Sequence, residues 1–270
     1  MNKPFKKVGF IGCGKMASAI IKGVLSSKFL KKSQVIASEV NEEFANAKEK
    51  ELGIKVFTDN KTVAKNSDVI FLAVKPQFIK EILQEIKNDL NEDKLIVSIA
   101  AGVSTKTIED EIGKEVALIR VMPNAPAVIL EGMSGIAKGK YANAEQIEFV
   151  KALLSKIGKC IVIDEDNIDI LTAISGSGPA FFYKMLHEMA LAGEKLGLDY
   201  ENSLFLATQT AIGSAKLMQQ SDLSAVELVK TVATKGGCTQ VGIDFMDEMN
   251  MEEIFYTLIK RTAKKSRDLG

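Results

Sequence analysis

Lys7-Val-Gly-Phe-Ile-Gly-Cys-Gly-Lys-Met-Ala-Ser-Ala-Ile20 is the stretch that decides how this chain is read. An apolar run, Val8–Ile11, meets Gly12-x-Gly14-x-x-Ala17, and helical periodicity follows at once. A strand, a glycine turn and a helix in that order form the first unit of a dinucleotide-binding sheet. Gly12 permits the tight turn, Gly14 lets a pyrophosphate approach the backbone, and Ala17 lets helix and strand pack closely. The free N–H groups and the partial positive charge of the helix N-terminus then attract phosphate. Ile11, Gly12, Gly14, Lys15, Met16 and Ala17 are therefore candidate phosphate-loop contacts.

Outward from this turn, strands and helices alternate to about residue 164. Strand-like runs fall at Val8–Ile11, Gln34–Ala37, Val56–Phe57, Val69–Val74, Leu95–Ile99, Leu118–Met122, Ser134–Ala137 and Cys160–Ile163. Helical periodicity covers Lys15–Ser27, Glu42–Leu52, Gln77–Leu90, Thr105–Glu111 and Ala144–Ile157. Val69–Val74 is apolar throughout, as a central strand buried on both faces requires. After Asp164 no strand pattern returns. A long apolar stretch over 165–197, broken by Gly176, Gly178 and Pro179, precedes helical runs near 201–219, 224–234, 238–249 and 251–267. Ser224 with Glu227, and Asn250 with Glu253, have the spacing of capping pairs. Small residues at Ala207, Ala211, Ser214 and Ala215 make a flat face for close helix packing. The expected fold class is α/β: a Rossmann-type, mostly parallel sheet domain over 1–164, then an all-helical domain over 165–270. A helical domain this apolar is expected to bury surface in a partner subunit.

Composition narrows the function classes. Lys and Arg balance Asp and Glu at 35 each, which argues against a nucleic-acid or anionic-membrane surface. No apolar run reaches the roughly 18 residues of a membrane span. Met-Asn-Lys-Pro-Phe-Lys-Lys leads straight into the first strand, so no signal segment is expected. Cys13, Cys160 and Cys238 lack metal-ligand spacing and read as free thiols of a cytoplasmic protein, with no metal expected.

Several residues carry candidate chemistry, each beside a plainer reading. Ser38 and Glu39 end the second strand. An acidic side chain there can accept both ribose hydroxyls of NADH and repels the 2′-phosphate of NADPH; the plainer reading is a solvated loop glutamate. Ala73-Val74-Lys75-Pro76 closes the central strand at the cofactor edge. Lys75 is either a cofactor contact or an exposed strand-end lysine. Ala100 begins a small-residue loop that suits a flat nicotinamide, and Asn124 sits in a proline-fixed loop after a later strand. His187, the only histidine, reads as a core or interface residue, so no histidine base serves the site. Ser175-Gly-Ser-Gly178-Pro-Ala-Phe181 is costly inside a helix and marks either close backbone approach or a packing kink. Thr234-Lys-Gly236-Gly237-Cys-Thr239 sets hydroxyls and backbone N–H groups beside a helix start. It is an anion receptor, or else a C-cap glycine followed by an N-cap threonine.

With these segments the chain resembles the pyrroline-5-carboxylate reductases over essentially its full length. Gly-Phe-Ile-Gly-Cys-Gly-Lys-Met-Ala, Asn60, Ala-Val-Lys-Pro-Gln, Val-Met-Pro-Asn-Ala-Pro, Ser-Gly-Ser-Gly-Pro-Ala-Phe and Gly-Gly-Cys-Thr occur in order. The last two together are specific to that family; the first is shared by many. The resemblance implies reduction of 1-pyrroline-5-carboxylate to L-proline by NADPH or NADH. It also implies a helical domain that interlocks with a second subunit, sites completed across that homodimer, and dimers that assemble into a ring. By resemblance Asn60 and Lys75 contact the cofactor. Thr234, Gly236, Gly237 and Thr239 grip the substrate carboxylate, with Thr239 on the ring nitrogen as the catalytic candidate. Ser175 and Gly178 join them as substrate contacts.

Two positions depart from the family pattern. Thr234-Lys235 stands where Ser-Pro is usual. Glu39 replaces the small hydroxyl residue that meets the 2′-phosphate, which favours NADH. An imine needs no base to remove a hydroxyl proton, so the lack of a histidine base fits this chemistry. The rivals fit less well. A β-hydroxyacid dehydrogenase carries a lysine four residues after its second helix glycine, and here that position is Phe182. A methyltransferase carries an acidic residue shortly before the glycines, and Val8–Ile11 has none. A nucleotide-binding regulator without catalysis is separated only by assay.

Overall fold

The computed structural model describes residues 5–268. Met1–Pro4, on which part of the signal-segment reading rests, and the last two residues of the expected helical domain lie outside them. The chain forms two compact units. One runs up to Ser177 and takes back the chain from Thr262 onward; the other is Gly178–Arg261.

Eight strands build the sheet of the first unit: β1 (Val8–Ile11), β2 (Val35–Ser38), β3 (Lys55–Phe57), β4 (Val69–Leu72), β5 (Leu95–Ser98), β6 (Ala117–Met122), β7 (Gly132–Lys138) and β8 (Gly158–Val162). Their order is β3-β2-β1-β4-β5-β6-β7-β8, and every pairing is parallel except β6 with β7. The order in which strands join the sheet therefore reverses between β1 and β4, which opens a crevice at the carboxyl ends of those strands. Side chains alternate between two cores. Phe10 and Phe71 enter one, with rings stacked at 4.6 Å, while Ile11, Ile70 and Leu72 enter the other. Burying each such side chain is worth about 1.5–3 kcal/mol.

Helices α1 (Lys15–Ser26), α2 (Glu42–Leu52), α3 (Asn60–Lys65), α4 (Ile79–Ile86), α5 (Thr105–Ile112) and α6 (Ala144–Leu154) connect the strands. The short α3 escapes periodicity because only Val63 and Ala64 are buried on it; Asp59 starts it by accepting from Lys61 N and Thr62 N. The central strand stops at Leu72, two residues before the apolar run ends, and Pro76–Phe78 forms a 3-10 turn ahead of α4. After β8 come α7 (Ile168–Leu171) and a π-turn, Thr172–Gly176, closed by Ser177 N donating to Thr172 O at 2.8 Å. Leu171 packs over Gly135 of β7.

The second unit holds α8 (Gly178–Lys195), α9 (Tyr200–Gln220), α10 (Ala225–Val232), α11 (Cys238–Glu248) and most of α12 (Met251–Arg267). Pro179 occupies the first turn of α8, where its missing N–H costs nothing. Ser224 and Glu227 form the expected capping box. Asn250 does not cap α12 in this way. It takes a left-handed φ of 51°, and Glu253 accepts from the Thr257 hydroxyl instead. The last turns of α12 belong with the first unit, where Ser266 donates to Asp169 at 2.7 Å.

Burial differs sharply between the units. Among the described residues of α10 and α11 none is buried. Phe182, Phe205, Val241 and Phe245 are 60%, 70%, 70% and 59% exposed. On α9 Ala207 is buried, whereas Ser214 and Ala215 stay exposed, so most of the small-residue face is unused within the chain.

Candidate functional site

The glycine turn shows why its residues are small. Gly12 has φ 87°, and a Cβ there would lie 2.6 Å from Ala73 O and 2.8 Å from Val74 Cγ1. The turn is thus pressed against the end of β4, with Ala73 N donating to Ile11 O at 2.8 Å. A Cβ on Gly14 would instead meet open space. Gly14 is the N-cap of α1, with no side-chain cap and no acidic residue in the first turn. Uncapped N–H groups, open space above the backbone and no competing charge on the helix fit a dinucleotide phosphate. Cys13 between the glycines is inert, because burial pushes its thiol up to about 11.

Glu39 is not a solvated loop residue. It is half-buried, and its Oε1 accepts from Cys13 N at 2.8 Å inside the glycine turn. Its carboxylate is therefore held beside the phosphate loop. Ser38 is buried and donates through its hydroxyl to Asn60 Oδ1 at 2.7 Å, while Asn60 Nδ2 donates to Glu85 at 2.8 Å. Asn60 thus opens α3 with both ends of its amide fixed.

Between α4 and α5 lies a cleft of about 620 Å³, walled by Leu83 and Glu111 of the two helices and by Pro76, Ala101, Gly102 and Val103 of the loops after β4 and β5; the Gly12–Ala17 turn does not line it. Lys75 precedes the Pro76–Phe78 turn, and Ala100 is buried at the start of the β5 loop. Asn124 serves a different neighbour. Its Oδ1 accepts from Met133 N at 2.8 Å, and its Nδ2 donates to Ser175 O at 3.1 Å and Ser175 Oγ at 3.3 Å. It locks the π-turn to the loop after β6. Such π-turns recur at functional sites.

Gly178 and Thr234–Thr239 lie in the second unit. Gly236 has φ 78°, and Gly237, not Thr239, is the N-cap of α11. Thr239 is the second helical residue, so the N-cap-threonine reading does not hold. α11 has no side-chain cap, which leaves its first N–H groups for an anion. A Cβ on Gly237 would lie 2.9 Å from the Thr234 hydroxyl oxygen, which places that hydroxyl over the helix start. His187 is exposed on α8, and its Nδ1 is 2.9 Å from the Tyr200 hydroxyl; it is not a core residue of the chain.

Sequence reading missed Glu165, Arg120 and Glu85. Arg120 was the available signal: a charge inside the apolar strand Ala117–Met122 needs an acid close by. Glu165 supplies it at 3.0 Å, from 45 residues away.

Two family models match the chain. One, described as pyrroline-5-carboxylate reductase dimerisation, covers 165–269; the other, described as NADP oxidoreductase coenzyme F420-dependent, covers 7–102. A curated relative from Methanosarcina acetivorans, named pyrroline-5-carboxylate reductase, is 37% identical over 98% of both chains. The solved pyrroline-5-carboxylate reductase of Coxiella burnetii superposes with a TM-score of 0.94 at 30% identity over 98% of both chains. The pyrroline carboxylate reductase of Plasmodium falciparum, solved with NADP bound, gives 0.86 at 30% identity over 98% of both. The apolar second unit thus falls inside a dimerisation domain, and the glycine turn inside a nicotinamide-dinucleotide domain. Full-length identity at this level settles the assignment: the chain belongs to the pyrroline-5-carboxylate reductase family.

Proposed function

We propose that the protein reduces 1-pyrroline-5-carboxylate to L-proline, using a reduced nicotinamide dinucleotide held at the carboxyl edge of β1, β4 and β5. The observation that carries this reading is the pairing of an open, uncapped Gly12–Ala17 turn with a second uncapped helix start at Gly236–Thr239. One fits phosphate and the other fits a carboxylate. We take the function to divide near residue 165, a reading supported by the match to a dimerisation family over 165–269, although the compact helical unit itself begins at Gly178.

A bound reduced nicotinamide supplies the hydride. The chain's own residues bind and orient. Gly14 and the first turn of α1 take the pyrophosphate, Ser38, Glu39 and Asn60 the adenosine side, and Ala73–Pro76 and Ala100 the nicotinamide side, while Asn124 holds the Ser175 segment. The N–H groups of α11 with Thr234, Gly236 and Gly237 hold the substrate carboxylate, with Ser175 and Gly178 as further contacts. The Thr239 hydroxyl bonds the ring nitrogen. As hydride bonds to the imine carbon, which becomes C5 of proline, the C=N π pair moves to nitrogen, which takes a proton from the Thr239 hydroxyl or from water and gives the amine. No side chain needs to remove a proton from carbon or oxygen, so positioning and local electrostatics carry the rate.

Glu39 adds a preference for NADH. Its carboxylate is fixed to the glycine turn, so a phosphate on the adenosine ribose would meet a negative charge that cannot swing away. The enzyme acts as a homodimer, and its three free thiols suit the cytoplasm. Among the described residues no helix is long and apolar enough to cross a membrane. The test is oxidation of NADH and of NADPH on addition of pyrroline-5-carboxylate. Turnover with a higher kcat/KM for NADH is expected; no turnover with either cofactor contradicts the reading.

A further inference from the structure

Glu165 stands where three segments meet. Its Oε1 accepts from Thr105 N at 2.7 Å and from Arg120 Nη1 at 3.0 Å, and its Oε2 accepts from the Thr105 hydroxyl. Thr105 opens α5, directly after the Ala100–Ser104 loop that leaves β5. Arg120 sits in β6, 7% exposed, opposite Ser98 at the end of β5. Glu165 itself begins the 3-10 turn Glu165–Asn167, which leads through α7 into the π-turn with Ser175.

A buried arginine needs an acid, and the pair alone would satisfy that need. The same carboxylate does more. By taking both the N–H and the hydroxyl of Thr105, it fixes where α5 starts, and so fixes the far end of the loop. The near end is held by β5, where Ile99 N donates to Leu72 O at 3.1 Å. Ala101–Val103 between these anchors line the cleft shared with Pro76 and Gln77. The height of this loop at the carboxyl end of β5 would set how closely a nicotinamide ring can lie against its backbone.

We propose that Glu165 is a positioning residue: by clamping Thr105 and Arg120 it sets the height of the Ala100–Ser104 loop at the carboxyl end of β5 and ties that loop to the Ser175 segment. The proposal rests on the reading of Ala100 and its loop as the nicotinamide side.

The test uses the full-length protein and three readouts. Glu165→Gln keeps the size of the side chain and removes its charge. Affinity for ADP, which probes only the adenosine side, is compared with affinity for NADH, and kcat is measured with pyrroline-5-carboxylate. The expected result is ADP affinity within about twofold of the unaltered protein, NADH affinity weaker by about tenfold, and kcat lower by about ten- to a hundredfold, as a misplacement near 1 Å produces. Equal shifts for ADP and NADH, or a lower Tm with unchanged NADH affinity and kcat, would reduce Glu165 to a structural staple and overturn the proposal. If Glu165→Gln does not fold, Thr105→Ala decides alone, because it removes one contact and leaves the Arg120 pair. NADH binding weakened with ADP unchanged supports the clamp, and no difference overturns it. The binding arm needs no turnover. Failure of the reductase reading, seen as no turnover by the unaltered protein, is thus told apart from failure of the clamp.

Discussion

The two units of this chain solve opposite problems. The first buries its apolar residues on both faces of its own sheet, with Phe10, Phe71, Ile70 and Leu72 fully enclosed. The second leaves large side chains such as Phe205 and Val241 in the open and buries only Gly178, Ala190, Ser203 and Ala207 on α8 and α9. The difference teaches where each half of the function resides. The Gly12–Ala17 turn and the strand ends beside it lie in a sheet that supplies its own core. The helical unit has little core of its own and falls inside the match to a dimerisation family, so its exposed apolar faces are those a partner subunit would cover.

The comparison can be broken at either end. Phe71→Ala should cost the first unit about 3–5 kcal/mol, read from urea unfolding, because its stacked partner Phe10 loses a packed face. An unchanged midpoint would show that the sheet is not self-supporting. Phe205→Glu should leave ADP binding intact while dissociating the dimer and lowering activity at least about thirtyfold at fixed protein concentration. A dimer with unaltered activity, by sedimentation and assay, would show that the exposed face is not the interface.

Single-site changes then sharpen the division of labour. Thr239→Val should lower kcat or raise the substrate KM by about tenfold, the worth of one hydrogen bond to a reacting group, with the cofactor KM unmoved. Wild-type kinetics would make that hydroxyl dispensable. Glu39→Ser should move the NADH-to-NADPH ratio of kcat/KM toward NADPH by about tenfold, since it removes a fixed charge from the glycine turn. An unchanged ratio would remove Glu39 from cofactor choice.

Local pattern made much of the fold legible. The Gly12–Ala17 turn followed an apolar strand, Val69–Leu72 was apolar throughout because both its faces are buried, and Ser224 with Glu227 capped α10 as their spacing required. Other features depend on partners far along the chain. The antiparallel run of β7 is set by pairing with β6, and an alternating apolar strand looks the same in either direction. The Gln77–Leu90 periodicity continues through turns that are 3-10 at both ends, since apolar spacing does not register the tighter winding. Glu165 lay unnoticed in an acidic turn because its partners, Thr105 and Arg120, are 60 and 45 residues away. Glu39 was legible as an acidic strand end, yet its bond to Cys13 N was not, because the turn geometry alone brings the two together.

The most direct measurement follows the hydride itself. NADH deuterated at both C4 positions is incubated with the protein and pyrroline-5-carboxylate, and the proline formed is analysed by mass spectrometry and NMR. The account predicts L-proline carrying a single deuterium at C5, formed in step with oxidised cofactor. Proline without deuterium, or no proline while the cofactor stays reduced, would contradict it.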